Sequence, residues 1–293
     1  MSFTLSFAWF RFSMEVERPR FKGGIMRIAS LGTLTGPVIA YGGAFGNLTA
    51  LGALLREVSR AGIDAGQVIC TGDIAGICAQ PAECVAATRA YGHQVIAGNI
   101  ERQLAAGAAE SGAGYPPGSQ SVRLAAPGWR HADKMIDTGA RDWMEALPDA
   151  LVFAHEGRRW VVIHGGFGNP ARYLWPSSPE EAFRQELRAI EAAAGPVDGV
   201  IAGHCGLAFE RVIGGVHWLN AGMIGLPAHD GRRGGRYARL DADGARILRL
   251  DYDPAPAFAA MVSAGLSRGW DLALMTGRWP VDDILPEEMK PPI

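Results

Sequence analysis

Regular patterning begins at residue 26. Met26-Arg-Ile-Ala-Ser-Leu31 and Pro37 to Tyr41 are short apolar segments separated by a Gly- and Thr-rich turn at Gly32 to Gly36, which predicts a β-hairpin. After a bend at Gly42-Gly43, Asn47 stands as a helix cap, and Leu48, Leu51, Leu54, Leu55 and Val58 recur at the spacing of one helical face. Gln67-Val-Ile-Cys-Thr71 reads as a buried strand ending at Gly72-Asp73; a loop to Pro81 and a helix from about Ala82 to Tyr91 follow. Gln94-Val-Ile-Ala97 repeats the theme and ends at Gly98-Asn99. Strand, helix and strand in succession predict βαβ units, hence a sheet that is at least partly parallel and covered by helices.

The stretch Ala105 to Gln120, rich in Ala, Gly, Ser and Pro, predicts a loop. Trp143 to Leu147 reads as helix, and Trp160 to Ile163 as a strand ending at His164-Gly165-Gly166. Glu180 to Ala194 is helical by composition and is stopped by Gly195-Pro196. Gly199 to Ala202 ends at Gly203-His204 and His217 to Leu219 ends at Asn220, while Tyr237 to Leu240 and Ile247 to Leu250 form a closing antiparallel pair. The tail, with Trp270, Trp279 and several prolines, is expected to pack on the body as helix and loop. These elements make one domain over 26–293. Residues 1–25 are expected to be an extension, disordered or begun too far upstream: the run Met1 to Phe12 is short, aromatic and lacks the cleavage site of a signal peptide.

Composition narrows the class. The 293 residues are 48% hydrophobic and 20% charged with a mean hydropathy of +0.05, ordinary for a globular protein, and no apolar run approaches the roughly 18 residues that span a bilayer. A net charge of -2 with interspersed signs gives no basic field for nucleic acid. Cys70, Cys78, Cys84 and Cys205 form no CxxC pair, and Cys70 and Cys205 sit in apolar stretches, which fits a reducing cytoplasm. Nothing in the sequence sets an oligomeric state.

Four apolar strands each end in a glycine beside a metal-competent side chain: Gly72-Asp73, Gly98-Asn99, His164-Gly165 and Gly203-His204. Sites in open α/β sheets form outside the carboxyl ends of strands, where glycine permits tight turns and close approach. Two imidazoles, a carboxylate and an amide oxygen suit a divalent manganese, iron or zinc ion better than calcium. Taken singly, Asp73 or Asn99 is as well explained as a turn or cap residue, and each histidine as a structural one. It is the convergence of all four that points to a metal site. His93, His131, His155 and His217 lack this strand-end context and read as structural or surface residues.

The same residues carry a resemblance. Thr71-Gly-Asp-Ile-Ala-Gly76 followed by Gln80-Pro81 resembles the GD motif of calcineurin-like metallophosphoesterases, especially their small bacterial phosphodiesterase branch. Gly98-Asn-Ile-Glu101 is similar to the family's GN(H/C)(D/E), His164-Gly-Gly166 to its HG, Gly203-His-Cys-Gly206 to its GHxH, and Asn220 to Pro227 to its closing NPGSVGLP. Gly46-Asn47-Leu48 resembles the opening HGN and its helix. The likeness spans roughly residues 37 to 240 and implies an α/β (α+β) fold, a four-layer αββα sandwich of two mixed β-sheets flanked by helices.

The departures from the family sort by metal. In the family one ion takes the opening DxH and the last histidine of GHxH; here Gly43, Phe45 and Gly206 stand at those positions. The other ion takes the asparagine, the lone histidine and the first histidine of GHxH, with the GD aspartate as bridge; Asp73, Asn99, His164 and His204 remain for it. The resemblance therefore implies a cofactor of one divalent transition metal ion, the second site being absent. The expected activity is hydrolysis of a small phosphorylated substrate, a phosphodiester or phosphomonoester, by a hydroxide on that ion. The alternative is an inactive relative that binds a phosphorylated ligand or a protein partner. The bend at Gly43 running into the Asn47-capped helix is a candidate phosphate cradle, and Arg102, Arg172 and His229 are candidate phosphate or substrate contacts. Tyr173 and Trp175 are candidates to line a cleft, and the loops Ala105 to Gln120 and Gly168 to Ser178 are expected to set specificity.

Overall fold

The computed structural model describes residues 26–290 and, before them, the backbone of residues 16–17, 20–21 and 24–25. The strands are β1 (Val16–Glu17), β2 (Arg20–Phe21), β3 (Gly24–Ile25), β4 (Ile28–Thr33), β5 (Val38–Tyr41), β6 (Val68–Cys70), β7 (Gln94–Val95), β8 (Ala150–His155), β9 (Arg158–Val162), β10 (Gly199–Ala202), β11 (Ala208–Ile213), β12 (Val216–Ala221), β13 (Gly235–Asp241) and β14 (Gly244–Leu250). The helices are α1 (Leu48–Arg60), α2 (Pro81–Tyr91), α3 (Asn99–Ala105), α4 (Gln120–Met135), α5 (Thr138–Ala146), α6 (Glu180–Ala194), α7 (Ala255–Ser263) and α8 (Trp270–Thr276). The expectation for residues 1–25 falls largely outside the described residues; within them β1 pairs with β4 and β2 with β3.

Two mixed sheets carry the fold. One runs β1-β4-β8-β9-β10-β12-β11 and the other β14-β13-β5-β6-β7. Alternation along each strand sends its residues into different layers. In β5, Val38 and Ala40 join a cluster with Ile201, Leu219 and Phe153 of the seven-stranded sheet, so this layer lies between the sheets. Ile39 and Tyr41 point the other way, into a layer built with Leu51 and Leu54 of α1, Leu104 of α3 and Met144 of α5. On the far face of the larger sheet, Val161, Val200 and Trp218 pack with Phe183 and Ile190 of α6 and with Met261 and Leu274 of the tail helices. Helices, sheet, sheet and helices are thus four layers, and burial on both faces is why the central strands read as continuous apolar runs.

The expected hairpin of Met26–Leu31 with Pro37–Tyr41 does not form. β4 runs parallel to β8 in the larger sheet, whereas β5 lies between β13 and β6 in the smaller one, so Gly32 to Gly36 carries the chain from one sheet to the other. All four residues of β5 are buried, which needs partners on both edges and both faces that a two-stranded hairpin does not supply.

Among the described residues no helix is long and apolar enough to cross a membrane. The strands that matter for the site are parallel: β5 with β6 and β6 with β7 in one sheet, β9 with β10 and β10 with β12 in the other. Their carboxyl ends meet along one edge of the sandwich.

Candidate metal centre

Each sheet contributes two donors. Asp73 follows β6 and Asn99 opens α3 just beyond β7, both from the smaller sheet; His164 follows β9 and His204 follows β10, both from the larger. Asp73 and His204 sit in the left-handed region with φ of 62° and 60°. Aspartate accepts that conformation more readily than most residues, whereas an imidazole-bearing residue adopts it mainly where its surroundings hold it, as at His204. Two glycines explain how donors from different sheets come so close. A Cβ on Gly72 would lie 2.5 Å from the Gly98 nitrogen, and one on Gly98 would lie 2.6 Å from Asp73 Oδ1 and 2.7 Å from His164 Cε1.

His164 Nε2 is the hub. It lies 3.0 Å from Asn99 Oδ1, 3.2 Å from His204 Nδ1 and 3.3 Å from Asp73 Oδ2, and one ligand atom each from Asp73, His164 and His204 all fall within 4.8 Å. Neighbouring ligands of one ion with bonds of about 2.1 Å stand about 3.0–3.4 Å apart, so these spacings suit a single cation among the donors. The orientation of each group agrees. His164 Nδ1–H donates to the Thr71 carbonyl at 2.5 Å, which turns the lone pair of Nε2 inward. Asn99 Nδ2 donates to the Ser111 carbonyl at 2.9 Å, leaving Oδ1 as the inward atom.

Electrostatics point the same way. Burial alone would raise the Asp73 carboxyl, but the imidazoles of His164 and His204 outweigh it and hold it below the ordinary carboxylate range. Burial, reinforced by His164, pushes His204 down to about 3 and keeps its imidazole neutral, as a ligand must be. Burial disfavours a charged His164, yet Asp73 overcomes this and raises it. The Asp73 carboxylate is thus held ionised and the His204 imidazole neutral, the protonation states in which each can donate to a cation.

Behind the donors stands Glu101, fully buried. Its carboxylate accepts the N–H groups of Asp73 at 2.8 Å, Ile74 at 2.8 Å and Gly98 at 2.9 Å, tying the end of β6 to the start of α3. The sequence offers it only as the last residue of Gly98-Asn-Ile-Glu101. Tyr115 and Trp129 are not marked in the sequence either. They line the pocket at the donors together with Phe45, Ile77, Ile100 and Tyr173, and nothing in the alanine- and glycine-rich text around them signals it. Tyr173 lies with its ring 4.3 Å from that of His204 and stacks on Trp175 at 5.0 Å.

The other candidate contacts are engaged elsewhere. Around the Gly43 bend the N–H groups of Gly43, Phe45 and Gly46 donate to the carbonyls of Gly72, Asp73 and Ile74, and that of Asn47 to Ala44. Three of those amides join the bend to the Asp73 loop and the fourth closes the bend on itself, so they form no phosphate cradle. Asn47 caps α1 through Ala50 N–H and donates to the Gly225 carbonyl and the Tyr252 hydroxyl. Arg102 is turned to Asp149 and to the carbonyls of Met144, Glu145 and Leu147, where it closes the end of α5. The Arg172 guanidinium pairs with Glu186 and Gln185 of α6. His229 accepts the Trp279 N–H at 2.7 Å and packs on that indole, fastening the tail. His93, His131, His155 and His217 bond to Tyr41, Ala79, Gly36 and Glu210 respectively.

At the three departures from the motif pattern, apolar side chains stand close. A Cβ on Gly43 would lie 2.3 Å from Phe45 Cε2, and one on Gly206 would lie 2.9 Å from Met223 Sδ.

Comparison with known proteins agrees with this architecture. Residues 46–245, more than half of the chain, match the sequence profile of the calcineurin-like phosphoesterase superfamily domain. A hypothetical protein of Pyrococcus horikoshii OT3 is 17% identical with a TM-score of 0.66, over 83% of this chain and 99% of its own. A metallophosphoesterase of Sphaerobacter thermophilus is 20% identical with a TM-score of 0.63, over 83% of this chain and 100% of its own. At these identities the likeness is one of fold. No curated protein matches the chain in sequence.

Proposed function

The chain belongs to the calcineurin-like phosphoesterase superfamily, and on that premise we propose that it is a hydrolase of a phosphodiester or phosphomonoester working with one divalent metal ion. The observation that carries the reading is the convergence of Asn99 Oδ1, His204 Nδ1 and Asp73 Oδ2 on His164 Nε2 at 3.0–3.3 Å. Bound there, such an ion polarises a phosphoryl oxygen and acidifies water near neutral pH. The protein's own part is to hold the four donors rigid, to fix the His164 tautomer through Thr71, and to keep His204 neutral. The half-buried rings of Phe45, Tyr115 and Tyr173 line the site and limit the access of bulk water, which strengthens electrostatic contacts to the phosphate.

The count of one ion rests on Gly43, Phe45 and Gly206, which offer no side-chain donor, and is supported by the Phe45 ring and Met223 side chain that crowd the two glycines. Manganese is the ion we assign, with iron and zinc as the alternatives that the donor set also suits. Four buried cysteines without a disulfide support a cytoplasmic placement. The test is hydrolysis of bis-p-nitrophenyl phosphate with manganese by wild type, His164→Ala and Asp73→Asn, alongside elemental analysis. Turnover lost in both variants with near one ion per wild-type chain supports the reading; equal rates in all three proteins sink it.

A further inference from the structure

Outside the metal pocket lies a second cavity of about 360 Å3, set between residues 109–115 and α4. Ser111, Ala113, Tyr115, Ala125 and Trp129 line both spaces, so the two adjoin. We propose that this outer cavity receives the alcohol half of the ester and selects a flat, uncharged aromatic group there; the inference rests on the phosphoester reading of the metal centre.

Three features of the cavity select that chemistry. Its walls are small, from Ala109, Gly112, Ala126 and their neighbours, while the extended surfaces are the rings of Tyr115 and Trp129. A space bounded by small residues and two aromatic rings suits an aromatic group. The charged residues of the lining, Glu110 and Arg130, are both exposed and so belong to the rim; a charged group driven inward would meet no partner. The main-chain N–H groups of residues 109–115 have no protein acceptor among the described residues, and a ring with acceptor atoms on its edge satisfies such donors.

The wall is fixed in place. Trp129 Nε1–H donates to the Ala109 carbonyl at 3.0 Å, and Asn99, itself one of the four metal donors, holds the Ser111 carbonyl at 2.9 Å. Gly114 lies against the Ala171 carbonyl so closely that a Cβ there would stand 2.8 Å from it. α4 is seated on the site by the same device, since a Cβ on Gly128 would lie 2.6 Å from the Ile77 carbonyl oxygen. Pocket and metal centre are therefore one rigid assembly, placed so that a ring in the first directs its phosphate to the second.

The experiment is calorimetric titration of the manganese-loaded full chain with inorganic phosphate, methyl phosphate, phenyl phosphate and adenosine monophosphate. Phenyl phosphate and adenosine monophosphate are expected to bind at least about ten-fold tighter than methyl phosphate. A further gain of the nucleotide over the phenyl ester marks a nucleobase as the ring, and equal affinity marks a general aryl slot. Val122 and Ala126, one turn apart on α4, line the outer cavity and not the metal pocket. Val122→Trp and Ala126→Trp should each abolish the gain from the ring while leaving phosphate affinity unchanged. Phosphate binding with no gain from the ring overturns this inference alone. No phosphate binding at all overturns the metal-centre reading, and the inference falls with it.

Discussion

The main-chain N–H of Asp73 donates to Glu101 Oε2 at 2.8 Å. The residue with left-handed backbone at the head of the donor set is thereby fastened to the first turn of α3, the helix that Asn99 opens. Two donors that the chain separates by a whole helix, α2, are set in register by one carboxylate, which gathers the amides of Asp73, Ile74 and Gly98.

Glu101→Ala should accordingly be among the most damaging single changes outside the four donors. It strands three buried N–H groups, each worth about 1–3 kcal/mol when left unpaired, so urea unfolding should report a loss of about 3 kcal/mol or more. Manganese affinity should fall about 10- to 100-fold, as for other groups that orient metal ligands. A variant with unchanged affinity would show that the Asp73 loop holds its shape without the carboxylate.

Gly43 and Phe45 should prove energetically coupled. With φ of 42° and the phenyl ring 2.3 Å from where its Cβ would be, Gly43→Ala is expected to cost about 1–3 kcal/mol. In a Phe45→Ala background the steric part disappears. A double-mutant cycle read by chemical denaturation should give a coupling of about 0.5–3 kcal/mol; additive effects would mean that the ring and the glycine do not constrain each other.

Acid should weaken the fold through His93. Its Nε2 meets the Tyr41 hydroxyl at 2.7 Å, and burial pushes its pKa down to about 4. Between that value and the ordinary pKa of about 6.5 the unfolded chain binds a proton that the folded chain refuses, so stability rises with pH across this window. It is fully present above about pH 6.5 and is lost as pH falls toward 4, by an amount on the order of 3 kcal/mol. His93→Gln keeps an acceptor for Tyr41 without the titration, and its urea midpoint should change less between pH 7 and pH 5 than that of wild type.

How far the sequence discloses all this depends on where the information lies. The strands β5, β6 and β10 and the second half of β9 are legible because burial on both faces leaves unbroken apolar text, and the donors because a polar residue beside a glycine at a strand end is conspicuous. The partner of β4 is not legible: a segment such as Met26–Leu31 carries no mark of which sheet will take it, and the nearest strand is the wrong guess when the connecting turn crosses between sheets. β8, which pairs with β4, is hard to read because Ala150–His155 ends in Ala154-His155 with partly exposed positions rather than in an unbroken apolar run. The supports of the site are hidden for a different reason. Thr71, Ser111 and Ala109 act through carbonyl oxygens that every residue possesses, so no side chain announces them. Arg102 and Arg172 misled because an arginine near a phosphate motif in sequence has several carbonyls and carboxylates within reach in space.

Asn99 has two ends, an oxygen on the metal side and an amide on Ser111. One side chain thus belongs at once to the part of the molecule that does chemistry and to the part that chooses what chemistry is done upon. Loop 106–119 cannot be redrawn freely to suit a new substrate, since any path that moves the Ser111 carbonyl also rotates a ligand. On the proposed function, the choice of substrate would be tied to the ion through one planar amide group.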